Sequence, residues 1–248
     1  MEELLNSPWG IACILAFDFF AILMVVCLTY RWFFKRVFDV LVSAVCLAVT
    51  SPIFLAIVIR GKKFQKENEG VIESLMKTDA RLSRKEKVVF LHTYRTKDAD
   101  GQVLGRYGRW LESTKLYKLP LLLDVFFGRL SFIGGKGLLP SEGKFIESEV
   151  EKDRFLVRAG LINPLVCVGD KETTFEEMFL SDRKYAWQFG FFMDCKIFFA
   201  WLLNVIRGNG DYYMGETREI SYAKYLLENE KITQADYDAS CELDKIEE

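Results

Sequence analysis

The chain has a single histidine in 248 residues. His92 alone cannot build a histidine-rich metal site or a two-histidine proton relay, and between Phe90 and Tyr94 it reads as a core or surface residue. Cysteine is no richer as a framework: the six residues at 13, 27, 46, 167, 195 and 241 contain no close pair. That spacing excludes a disulfide scaffold and a cysteine-based zinc site, and it fits a reducing compartment for the water-soluble part. A basic surplus is also missing. With a formal net charge of −2 the chain gives no argument for a nucleic-acid partner. Residues 216–248 hold ten acids against four bases, a solvated acidic tail. No internal repeat is present.

What the sequence does have is two long apolar runs. From Trp9 to Tyr30 only Asp18 and Thr29 are polar. About twenty such residues span a bilayer's hydrocarbon core, so residues 1–34 read as an N-terminal transmembrane helix. Glu2 and Glu3 replace the basic start of a cleaved signal peptide, and the run is too long for one. Asp18 either snorkels or is protonated, or makes a polar contact with another helix. The second run, Val37 to Ile59, is preceded by Arg31, Lys35 and Arg36 and followed by Arg60, Lys62 and Lys63. Bases favour the cytoplasmic side at both ends, which a straight span cannot satisfy. Ser51-Pro52 interrupts the run. Proline removes a backbone hydrogen bond, and the freed carbonyl needs a donor such as the Ser51 hydroxyl. Residues 35–63 are therefore expected to form a re-entrant membrane helix, with an ordinary kinked span as the alternative.

Residues 64–210 read as a globular domain and 211–248 as the tail. Residues 61–86 are polar with a weak helical pattern, Val88–Tyr94 reads as a strand and Asp98–Gly101 as a turn. Trp110–Phe127 reads as a helix broken near Pro120. Trp187–Ile206 is apolar yet holds Asp194, Lys196 and Asn204, which favours an amphipathic helix in the membrane interface over a third span. In the tail, residues 221–228 suit a short helix, and Thr233 and Asp236 have capping-box spacing for another. Such a pair either docks a partner or frays; the frayed appendage is the expected one. The fold class expected is α+β, membrane-associated and mostly helical: a transmembrane helix, a re-entrant helix and a small cytoplasmic α/β domain with interfacial helices.

Several short stretches, in order, resemble the bacterial sugar-transferase family of monotopic polyprenol-phosphate phosphoglycosyltransferases. Lys35-Arg36-Val37-Phe38-Asp39 is similar to that family's approach to its membrane helix, and Ser51-Pro52 to its helix-breaking pair. Tyr94-Arg95-Thr96 resembles its aromatic-arginine-threonine strand end, and Gly105 to Leu111 its arginine-x-glycine-arginine stretch. Leu116 to Gly134 follows its central region, Arg158-Ala159-Gly160-Leu161 stands at its arginine-proline-glycine-isoleucine, and Asp194-Cys195-Lys196-Ile197 resembles its late aspartate segment. The resemblance runs from about 35 to 207 and lies in order and spacing.

It implies transfer of a phosphosugar from a nucleotide diphosphate sugar to polyprenol phosphate, at the cytoplasmic face of a bacterial inner membrane. In such a family an aspartate attacks the sugar-linked phosphate, and the adjacent glutamate and a magnesium ion complete the site. Here that acidic pair falls at Tyr117-Lys118. Tyrosine, with a reference pKa of about 10, is a poor anion at neutral pH. Lysine donates where an acceptor is needed and repels magnesium. The family's proline-arginine-proline turn is Gly135-Lys136-Gly137, and Leu121 and Asp124 stand where glutamine and asparagine are usual. The expectation is a pseudoenzyme with no catalytic or metal-binding residues and no cofactor. It would bind, stabilise or regulate an active paralogue in capsule, exopolysaccharide or O-antigen assembly, in contact with membrane lipid. Arg95, Arg106, Arg109 and Lys136 remain candidates to hold a nucleotide sugar or lipid phosphate without turnover. One alternative is an active transferase with magnesium, in which Asp124, Glu112 or Glu142 supplies the carboxylate. Asp124 lies seven residues after Tyr117, about 10 Å along a helix. Another is a membrane scaffold whose tail recruits soluble glycosyltransferases.

Overall fold

The computed structural model describes residues 7–67, 74–98, 101–146, 148–167, 174–207 and 220–245. Helix α1 (Pro8–Thr29) passes through a five-residue π turn (Tyr30–Phe34) directly into α2 (Lys35–Glu67), with no loop between them. At 1.5 Å per residue α1 is about 33 Å long, the thickness of a bilayer's hydrocarbon core. Its apolar side chains are uncovered (Phe17 is 74 % exposed and Leu28 69 %), and Asp18 is exposed with them.

Helix α2 runs through Ser51-Pro52 without leaving the helical hydrogen-bond pattern. The Ser51 hydroxyl donates to Ala48 O at 2.8 Å. Ala48 is the residue four before Pro52, whose carbonyl loses its N–H partner to the proline ring. Thr50 donates to Cys46 O one turn earlier, at 2.7 Å. The helix touches the globular domain at both ends. Asp39 and Ser43 are buried at its start, Ile57 and Gly61 near its finish, while Leu41, Val45, Val49 and Leu55 are exposed between. Ile57 packs with Tyr94, Tyr107 and Leu111. Gly61 admits that packing, since a β-carbon there would sit 2.7 Å from the Tyr107 hydroxyl oxygen.

The strands form two small sheets. β1 (Met76–Leu82) pairs antiparallel with β2 (Val88–Tyr94), Met76 facing Tyr94 and Leu82 facing Val88. β2 has the bounds expected from sequence, but β1 corrects the reading of 61–86 as weakly helical. Only Ala80 of β1 is buried; Met76, Ala80 and Leu82 alternate with Lys77, Asp79 and Arg81 on the other face, a period of two within a charged stretch. β3 (Ser131–Ile133) pairs parallel with β4 (Gly160–Ile162). A β-carbon on Gly160 would lie 2.0 Å from Gly134 N, which explains the glycine. The domain is thus α+β with two separate two-stranded sheets, not a layered α/β sheet.

The expected helix at 110–127 is three pieces: α3 (Gly105–Ser113), a 3₁₀ turn (Leu116–Lys118) and α4 (Leu121–Phe127). The first break comes before Pro120, at Lys115, whose φ of 56° is left-handed; Pro120 instead begins α4 as its N-cap. Short helices α5 (Pro140–Gly143) and α6 (Glu149–Lys152) follow. α7 (Phe175–Gln188) starts from a Thr174–Glu177 capping box, and α8 (Phe191–Ile206) buries Asp194 and Ile197 while exposing Phe192, Phe199 and Ile206. The main core gathers Val125, Phe132, Ile133, Ile162, Tyr185 and Ile197.

The tail forms α9 (Tyr222–Glu228) and α10 (Gln234–Cys241), the latter from the Thr233–Asp236 box. It is not frayed. Tyr222 and Tyr225 stack against Phe175, each with ring centroids 5.0 Å away, and Asp244 accepts from Ser141 N and Oγ at 2.8 and 2.7 Å. Aromatic burial against α7 outweighs the tail's acidity.

Candidate functional site

Two polar constructions stand out. The first joins α2 to the domain and uses the residues expected at the membrane approach. Lys35 Nζ donates to Asp194 Oδ2 at 2.6 Å and lies 3.5 Å from Asp39 Oδ1. Asp194 also accepts from the hydroxyls of Tyr30 (2.6 Å) and Tyr185 (2.7 Å). Asp39 accepts from Ser131 Oγ at 2.7 Å and Phe132 N at 3.0 Å, pinning β3 to α2. Arg36 donates to Val125 O and Phe126 O, capping the C-terminal end of α4. Burial and the Asp194 carboxylate push the Tyr185 phenol well above its ordinary range, so it remains a donor. Both carboxylates are at least 99 % buried and each is satisfied by donors, the condition under which buried charge is tolerated. These residues hold the fold together.

The second construction is a cavity of about 430 Å³ bounded by β1, β2, the 3₁₀ turn and the start of β4. The alternation of β1 sends Lys77, Asp79 and Arg81 to this wall. The end of β2 adds Tyr94, Arg95 and Thr96, followed by Lys97 and Asp98, and the 3₁₀ turn adds Tyr117 and Lys118. Lys136 and Gly137 close another side. Six cations therefore face two carboxylates. Lys77 Nζ lies 2.8 Å from Asp79 Oδ1, and Asp98 Oδ1 accepts from Gln102 N, so both acids are engaged. Arg95 Nε is buried without a hydrogen-bond partner, a donor available to an anion. Burial pushes the Tyr94 phenol up to about 12, with Tyr107 adding to the shift.

The Gly135-Lys136-Gly137 turn is fixed from behind. Lys136 N donates to Asp182 Oδ2 at 3.1 Å and its carbonyl accepts from Arg154 at 2.9 Å, while Arg154 itself pairs with Asp182. Asn163 donates to the other Asp182 oxygen at 3.2 Å. This buried pair holds the backbone of the turn at Lys136. Burial lowers the Lys136 ammonium from its ordinary range, against the opposing pull of Glu142 and Asp182.

The sequence profile of the bacterial sugar transferases matches residues 30–208. The chain belongs to that family. Comparison with curated proteins gives no match. As a bacterial sugar transferase it is a sugar-phosphate transferase-like protein, and the family together with two helices long and apolar enough to cross a bilayer supports membrane association.

Tyr117 and Lys118, where the resemblance puts the family's acidic pair, stand on the cavity wall. Lys118 is 7 % exposed, its ammonium 5.2 Å from the Tyr117 ring centroid. This donor set does not fit magnesium: ammoniums crowd the wall, and among the described residues no three His, Cys, Asp or Glu side chains come together. Of the predicted phosphate holders, Arg95 and Lys136 line the cavity. Arg106 and Arg109 do not; both are exposed on α3, and Arg109 Nε donates back to Gly105 O at 3.1 Å. The substitute carboxylates are elsewhere too. Asp124 is fully buried, accepting from His92 N (2.8 Å) and Arg129 (3.1 Å) with His92 Nδ1 at 2.8 Å. Glu112 accepts from Thr96 Oγ1 at 2.9 Å, and Glu142 from Leu139 N and Tyr222 N. Lys77, Asp79 and Arg81 were missed because β1 was; their i, i+2, i+4 spacing is the signal that would have found them.

Proposed function

We propose that this protein is a catalytically silent sugar-transferase subunit, which binds an anionic phosphate ligand without turning it over and supports an active paralogue in polyprenol-linked glycan assembly. The observation that carries the reading is the cavity wall at Tyr117 and Lys118. A covalent transfer needs a carboxylate nucleophile and a metal-binding acid there. In their place stand a phenol and a buried ammonium, in a cavity whose charge balance favours holding phosphate.

The membrane arrangement that goes with this reading is one-sided. A straight crossing would put the ends of α2 on opposite faces of the bilayer, yet both ends pack against one domain. Contacts at both ends, bases at both flanks and the exposed apolar middle of α2 favour a re-entrant helix. The apolar faces of α4 and α8, with Phe127, Phe192 and Phe199 exposed, suit the headgroup layer. The domain then lies on the cytoplasmic face.

The test is turnover. Purified protein supplied with magnesium, polyprenol phosphate and a panel of nucleotide sugars should release no nucleoside monophosphate above background. Withholding it from a membrane reconstitution should lower the turnover of the active paralogue that co-purifies with it. Robust release by the purified protein, abolished in Asp79→Asn or Asp98→Asn, would instead establish an active enzyme using a carboxylate of this cavity. Loss in Asp124→Asn would point to His92-bound Asp124.

A further inference from the structure

A second cleft opens where the π turn and the head of α2 meet the domain, about 390 Å³ in volume and sharing no lining residue with the cavity. Arg31, Lys35, Arg36, Arg84 and Arg158 bring cations to it, against the carboxylate of Asp39. Asp39 is already engaged by Ser131, Phe132 and Lys35. Lys35 is likewise committed, to Asp194. Among the described residues Arg31 and Arg36 donate to backbone carbonyls, those of Trp187 and Phe189 and of Val125 and Phe126, and Arg31 lies over the Phe189 ring, so neither is paired with a carboxylate. Among the described residues the side chains of Arg84 and Arg158 make neither a hydrogen bond nor an ion pair. Arg158 is half-buried, and burial, with Arg36 and Arg84 close by, lowers its guanidinium from the ordinary range. Arg36 and Arg158 are partly buried while Arg31 and Arg84 are exposed, and cations grouped about one cleft are relieved by an anion.

The rest of the cleft says which kind of anion. Phe33 and Leu156 on its lining are 63 % and 50 % exposed, an apolar surface that a free ion would leave uncovered. Thr29, the last residue of α1, lies two residues before Arg31, so the cleft sits where the bilayer-length apolar helix ends. Phosphate and hydrocarbon are found together at that depth in a phospholipid.

We propose that this cleft is a lipid site that seats the headgroup phosphate of an acidic bilayer phospholipid between Arg36, Arg84 and Arg158, with its chains against Phe33 and Leu156. The site does not depend on whether the protein is catalytically silent. Arginine suits it because a planar guanidinium takes two phosphate oxygens at once. Bound lipid would fasten the domain at the foot of α1 by neutralising charges that the fold itself leaves open.

Native mass spectrometry of the full chain, released from neutral detergent supplemented with phosphatidylglycerol or phosphatidylcholine, tests this directly. The wild type should retain phosphatidylglycerol at least about tenfold better than phosphatidylcholine. Arg84→Gln with Arg158→Gln should abolish that preference, and the corresponding double lysine variant should keep part of it. Both arginines are unbonded among the described residues, so unchanged melting temperatures will show that the variants fold. Equal retention of phosphatidylglycerol by wild type and the glutamine variant would overturn the proposal. So would displacement by an equal concentration of inorganic phosphate, which would make the site a reader of phosphate alone. A preference for polyprenol phosphate over phosphatidylglycerol at matched concentration would overturn it in favour of the isoprenoid lipid.

Discussion

The joint at the head of α2 and the cavity beneath β1 and β2 draw on the same kinds of side chain, tyrosine, lysine and aspartate, but balance them differently. At the joint Lys35 lies between two carboxylates, and both carboxylates are filled by donors. At the cavity six cations face two carboxylates that are already engaged. The joint is indispensable to folding, because a buried carboxylate without its partners costs several kcal/mol. The cavity is under no such constraint. Its six cations outnumber the carboxylates on the wall. The charge balance that holds the fold and the charge balance of the cavity are thus separate physical demands, met by separate residues.

Breaking the joint should have the largest effect. Asp194→Asn removes the charge that pairs with Lys35 and should cost about 3–5 kcal/mol, seen as a lowered denaturation midpoint in detergent. A loss below about 1 kcal/mol would mean that the joint is not the fold's keystone. Gly160→Ala strikes the sheet that both regions share, since β3 receives Asp39 and Gly160 lines the cavity. Its β-carbon would meet Gly134 backbone at 2.0 Å, and about 1–3 kcal/mol of destabilisation is expected by the same measurement.

Lys136→Met sharpens the contrast with a small effect of opposite sign. Burial lowers the folded-state pKa of Lys136 below its ordinary value. Below that lowered pKa both folded and unfolded chains are charged, and the folded one bears the full desolvation penalty. The penalty fades as pH rises from the folded pKa to the unfolded one, so the wild type should gain stability across that alkaline window. Lys136→Met should be more stable at pH 7, by no more than about 1 kcal/mol, and its stability should be flatter in the same window. A destabilised methionine variant would show that the ammonium is matched as well as those of the joint.

The sequence exposes the structure where one local rule suffices. Val88–Tyr94 is a short apolar strand, Thr233 and Asp236 fix a helix start by spacing, and Ser51 supplies the donor that Pro52 makes necessary. It conceals what depends on distant partners. β1 is polar because one of its faces lines a charged cavity, so its period of two is masked by the charges around it. The left-handed turn at Lys115 uses a residue that gives no turn signal. Docking of Tyr222 and Tyr225 on Phe175 depends on contacts across more than forty residues. That Tyr117 and Lys118 stand where the resemblance puts two acids is legible from motif order. Where the surviving bases converge is not: Arg95 and Lys136 meet across the cavity, while helical rotation on α3 carries Arg106 and Arg109 to its outside.

The π turn between α1 and α2 has a mechanical consequence. A flexible linker there would let the domain wander over the membrane surface at a range of heights. Tyr30–Phe34 instead joins α1 to α2 by helical backbone without a loop, and Tyr30 is bolted to Asp194 within the domain. With α1 across a bilayer, any tilt of α1 would pass to the domain as a rotation about that joint. Bilayer thickness, by setting that tilt, would set the angle at which the cavity meets the membrane.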